Sequence, residues 1–95
     1  MTAPATFAES LAQAHAALRA GRAATAERSL RGLNERFPGE VNCLWLLGAA
    51  LLAQNKIAES IATLEGVLTR VPDFAHARVD LARAYRRDGR AAHAR

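Results

Sequence analysis

Residues 41–72 read VNCLWLLGAALLAQNKIAESIATLEGVLTRVP, and the spacing of apolar residues in this stretch decides the fold. At 100° per residue, Leu47 and Leu51 fall within about 60° of Leu44, which gives Val41 to Ala53 one apolar helical face. Trp45 and Leu52 lie about 100° and 80° round from Leu44, on a different face. Gln54-Asn55-Lys56 is a polar turn, and asparagine tolerates the left-handed conformation that ends helices. A second helix is predicted from Ile57 to Arg70. Pro72 stops it, because proline has no N–H to donate and clashes with the preceding turn.

Working outward, the pattern recurs at 34 residues. Pro38 and Pro72 stand at that interval, as do Gly21, Asn55 and Gly89. So do the small residues Ala14, Gly48 and Ala82, and again Ala26, Ser60 and Ala94. Leu30 pairs with Leu64, Leu33 with Val67, and Leu11 with Trp45 and Val79. Thr6 and Glu9 form a capping-box pattern ahead of Phe7, Leu11, Ala14 and Leu18, with Gly21 as the stop. A helix from Ala23 to Arg36 follows, with Ala26, Leu30 and Leu33 on one face, and Pro38 breaks it. The third unit begins near Ala75 and turns at Asp88-Gly89-Arg90, leaving Ala91 to Arg95 as the start of its second helix. No segment alternates as a strand would. A helical hairpin repeated at fixed spacing cannot bury its apolar face alone and stacks on its neighbours.

A 34-residue helix–turn–helix unit with Leu47-Gly48 in its first helix and Pro72 closing its second resembles the tetratricopeptide repeat family. Leu44, Leu51, Ser60, Leu64 and Val67 fill the remaining signature positions of the second unit. Leu44 stands where the family commonly has tryptophan, Leu51 where it has tyrosine and Ser60 where it has alanine. The first unit is looser, with Gln13 at a leucine position, and the third supplies Leu81, Ala82, Tyr85 and Gly89. The resemblance implies an all-α fold of antiparallel helix–turn–helix repeats stacked as a right-handed α-solenoid without a complete C-terminal cap. Residues 1–6 are then an N-terminal tail, 7–40 and 41–74 two repeats, and 75–95 the first helix and turn of a truncated third. It also implies a concave groove, lined by the first helix of each unit, that grips a peptide or partner protein.

Composition agrees with packed helices. The chain has 95 residues, 51% of them hydrophobic and only 5% aromatic, and 23 are alanine. Its net charge of +4 is uneven. Residues 1–74 carry seven basic and seven acidic side chains, whereas 75–95 carry six arginines against Asp80 and Asp88. The longest apolar run, Cys43 to Ala53, is half of the roughly 20 residues a membrane span needs. The N-terminus has no basic region ahead of an apolar stretch, so no secretory signal is read and a cytoplasmic location is expected. One cysteine, Cys43, excludes an internal disulfide.

The groove face comprises Ala8, Leu11, His15, Leu18 and Arg19 in the first unit, and Asn42, Trp45, Ala49, Leu52 and Ala53 in the second. In the third it comprises His76, Val79, Arg83, Arg86 and Arg87. It runs from apolar to basic, so the expected partner is a protein or peptide segment with an apolar anchor near Trp45 and acidic residues near Arg83 and Arg86. Trp45 also reads as filler between Leu11 and Val79. The co-chaperone members of the family hold a peptide's terminal carboxylate with lysine, asparagine and arginine. Here those places carry Leu11, His15, Leu46, His76 and Asp80, so chaperone tails are not the expected ligand.

No catalytic residue, metal site or cofactor is read. His15, His76 and His93 share no ligand spacing, Cys43 has no base nearby in sequence, and there is no phosphate loop or GxSxG. Two other readings stand beside the scaffold. One is the N-terminal repeat region of a larger bacterial protein, such as a sulfotransferase-like enzyme, contributing oligomerisation or substrate docking. The weaker is nucleic-acid binding through Arg78, Arg83, Arg86, Arg87 and Arg90, which lack an accompanying nucleic-acid motif. Leu81 and Tyr85 would face only the stub after Gly89, which points to self-association through that end.

Overall fold

The computed structural model describes residues 5–89. Five helices follow in order: α1 (Phe7–Arg19), α2 (Ala23–Arg36), α3 (Val41–Ala53), α4 (Ile57–Arg70) and α5 (Ala75–Asp88). Among the described residues there is no strand. The stub expected at Ala91–Arg95, together with Arg90, His93 and residues 1–4 of the tail, lies outside them.

The helix ends form where the sequence places its stop signals. Thr6 Oγ1 accepts from the Glu9 backbone N–H at 3.1 Å, and the Glu9 carboxylate accepts from the Thr6 N–H at 2.8 Å, so the capping box closes on both sides. The three turns 34 residues apart each need a positive φ: Gly21 at 83°, Asn55 at 63° and Gly89 at 79°. α2 and α4 are capped at Phe37 and Val71, the residues before Pro38 and Pro72.

α1 packs on α2 and α3, α3 on α2, α4 and α5, and α4 on α5, while α1 and α5 do not meet. A closed bundle would bring first and last helices together; this arrangement is a stack, 54 Å long and 26 by 19 Å across. Its core falls into three clusters: Leu30, Leu46 and Leu51 are buried in one, Leu64 and Val67 in another, and Leu52 and Ile61 in the third. Each such side chain contributes about 1.5–3 kcal/mol. Ser60, the one buried polar residue among the described residues, donates its hydroxyl to the Gly48 carbonyl at 2.8 Å and so costs little where the family places alanine.

Leu81 and Tyr85 are less bare than expected. Both are half-buried and pack into the cluster of Leu52, Ile61 and Ala84. The Tyr85 hydroxyl also donates to the Glu65 carboxylate.

Candidate functional site

The first helices of the three units, α1, α3 and α5, lie side by side and share one face. Trp45 occupies its middle. The His76 ring stacks on the indole with centroids 4.8 Å apart, the His15 ring meets it edge-on at 5.9 Å, and Phe74 lies tilted at 5.7 Å. The indole Nε1–H donates to Asp80 Oδ2 at 2.9 Å. A half-buried tryptophan needs an acceptor for that N–H, and the carboxylate makes the bond charge-assisted. Trp45 is therefore sheltered by α1, α5 and the turn before α5.

Two placements differ from the wheel. Val79, expected to flank Trp45 with Leu11, stands 52% exposed, while Leu11 packs into the first core cluster. Leu52, expected on the open face, is only 5% exposed because α5 covers it, and Ala84 and Ile61 are its neighbours. A single-helix projection cannot register a neighbouring helix. Asn42, His76, Arg83 and Arg86 are exposed, and His15 and Leu18 are partly buried.

One turn beyond Trp45, toward the helix C-termini, a depression of about 280 Å³ is lined from all three helices. Leu18, Ala49, Leu52 and Ala53 supply an apolar floor, and Asp80, Arg83 and Arg87 a charged wall. Arg87 donates to the Leu52 carbonyl at 2.9 Å, placing a guanidinium at the C-terminal end of α3, where the helix dipole is negative. Arg83 reaches Asp80 Oδ1 at 3.5 Å, a stretched pair. A larger depression, about 530 Å³, has walls only from α1 and its C-cap, namely Ala12, His15, Ala16, Arg19 and Ala20.

Sequence reasoning missed two clusters. Asp80 was read only as an acid among the C-terminal arginines and as a departure from the co-chaperone carboxylate clamp. Its register was the available signal: 34 residues earlier stands Leu46, buried against the first unit, so a carboxylate there requires a donor. The second cluster ties α2 to the α3–α4 turn. Glu27 accepts from Lys56 at 3.0 Å, Arg31 at 2.8 Å and Gln54 at 2.8 Å, and these donors hold its carboxyl down to about 2.

Cys43 is fully buried with its thiol 3.4 Å from the Leu30 carbonyl. Burial, and secondarily Glu40, pushes its pKa up, away from nucleophilic character. No group of three or more metal-ligating side chains gathers among the described residues, and no helix there is long and apolar enough to cross a membrane.

Stacked helical hairpins presenting an open face define a helical-repeat architecture. A family model described as "tetratricopeptide repeat" matches residues 11–73 and again 46–95. The chain belongs to the tetratricopeptide repeat family. Repeats of this family generally mediate protein–protein interaction and are generally non-catalytic. No curated protein and no solved structure was found to match the chain.

Proposed function

We propose that the face shared by α1, α3 and α5 binds a protein segment in which an apolar side chain sits beside acidic residues. The carrying observation is the three-helix depression, with its floor of Leu18, Ala49, Leu52 and Ala53 beneath Arg83 and Arg87. At about 280 Å³ it falls just short of the ~300 Å³ at which small-molecule sites begin, and suits one side chain of a longer segment. Arginine at the rim favours carboxylates through bidentate hydrogen bonds. Trp45, already bonded to Asp80 and flanked by rings, serves as a wall of the site, and the apolar anchor enters one turn away from it.

The apolar floor favours a peptide over nucleic acid, since phosphate binding needs no such floor. Self-association through Leu81 and Tyr85 has less support, because both side chains already pack against α3 and α4.

The test is fluorescence anisotropy with a labelled Glu-Leu-Glu-Glu-Leu-Glu peptide. Binding on the order of 10–100 μM is expected, weakened at least tenfold in Arg83→Glu and by raised salt. A Lys-Leu-Lys-Lys-Leu-Lys peptide should not bind. Equal affinity for both peptides, or tighter binding of a short DNA duplex, would contradict the proposal.

A further inference from the structure

We infer that Asp80 is the specificity-determining residue of this face: its carboxylate occupies, from within the chain, ground that an acidic partner contests, and the same group fixes Trp45. This inference rests on the binding reading above and adds to it which acidic partners are accepted.

Asp80 is mostly enclosed, its side chain 14% exposed, and its two oxygens have different duties. Oδ2 takes the Trp45 indole N–H at 2.9 Å, a partly buried and charge-assisted bond. Asp80 lines the depression, and there the Arg83 guanidinium, its side chain 59% exposed, approaches Oδ1 only to 3.5 Å. A pair stretched to that distance, with its guanidinium exposed, contributes little and is readily exchanged. An incoming carboxylate can therefore draw Arg83 away without disturbing Trp45. Having done so, it lies beside Asp80, and two carboxylates in one partly enclosed site repel.

The consequence is selectivity. A purely anionic chain gains Arg83 and Arg87 but meets the Asp80 charge with nothing to offset it. A segment that also fills the floor at Leu18, Ala49, Leu52 and Ala53 offsets the repulsion by burying apolar surface. Asp80 thus acts as a repulsive element against polyanions, in a position where the preceding unit carries the buried Leu46.

Asp80→Asn and Asp80→Ala separate the two duties, with Asp73→Asn as a control for net charge, because Asp73 is exposed before α5. The carboxamide oxygen of Asp80→Asn still accepts from Trp45 but carries no charge. The probes are hexaglutamate and the Glu-Leu-Glu-Glu-Leu-Glu peptide. Asp80→Asn is expected to raise hexaglutamate affinity about tenfold and that of the leucine-containing peptide about threefold, narrowing the gap between them, while Asp73→Asn changes both by less than about twofold. Trp45 is the chain's one tryptophan, so its indole N–H resonance reports the second duty. It should remain near its native position in Asp80→Asn and shift, with faster solvent exchange, in Asp80→Ala. Equal gains in Asp80→Asn and Asp73→Asn would overturn the selectivity, and an unmoved indole resonance in Asp80→Ala would overturn the hold on Trp45. Failure of every variant to bind either peptide would overturn the binding reading and the selectivity with it, while the indole resonance still decides the contact with Trp45.

Discussion

Gly48 and Leu64 leave no room between them: a Cβ placed on Gly48 would stand 2.6 Å from both Cγ and Cδ2 of Leu64. Leu64 is fully buried and has nowhere to retreat. Gly48→Ala gains roughly 1 kcal/mol of helix propensity but forces α3 and α4 apart at about 1–3 kcal/mol. The first unit holds Ala14 and Leu30 at this register within one core cluster, so the hairpin can open enough to keep the fold. A net loss of about 1 kcal/mol is expected by urea denaturation, with the far-ultraviolet circular dichroism unchanged.

Glu27 makes the stack acid-sensitive. Its ordinary value of 4.5 falls to about 2 in the folded chain, first through the Lys56 hydrogen bond and then through Arg31 and Gln54. The contribution is therefore complete above about pH 4.5 and is lost as pH falls toward 2. Its donors are half-exposed, so solvent screening reduces it to about 1–2 kcal/mol. Glu27→Gln should lower stability by that amount at pH 7, and the gap to the unaltered chain should close between pH 4.5 and 2 in melts followed by circular dichroism.

The helices and their register were legible in the chain, and the side-chain pairings were not. Pro38, Pro72 and the turn residues at Gly21, Asn55 and Gly89 act locally, so their 34-residue spacing reveals the helices and their register directly. The Trp45–Asp80 bond joins residues 35 apart, one more than the period, and no column of the repeat brings them together. Glu27 meets Lys56 across 29 residues for the same reason. The depth of Leu52 was not legible because its cover comes from α5, and the exposure of Val79 was not legible because a single helix projection does not show what neighbours it. Periodicity specifies which faces are inward. It does not specify which polar groups meet at a seam.

Cys43 offers a probe of opening. Its thiol is inaccessible and bonded to the Leu30 carbonyl, so a disulfide reagent must wait for the first two units to separate. Labelling should be at least about 100-fold slower in buffer than in denaturing urea. Its rate should track the stability loss in Gly48→Ala.

Arg87 serves fold and site together through its bond to the Leu52 carbonyl at the end of α3. Arg87→Met retains the apolar stem and removes the donor. A stability loss of about 0.5–1 kcal/mol is expected, with weaker binding of the Glu-Leu-Glu-Glu-Leu-Glu peptide. Thermal melts and anisotropy separate the two effects.

Partners are proposed to engage the face of α1, α3 and α5 at the three-helix depression. Amide chemical-shift mapping with the Glu-Leu-Glu-Glu-Leu-Glu peptide tests it most directly. Shifts should concentrate at Leu18, Ala49, Leu52, Ala53, Arg83 and Arg87, with the exposed outer residues Arg28, Gly32, Glu35, Gly66 and Thr69 unmoved. Shifts centred on those outer residues of α2 and α4, with the depression silent, would contradict it.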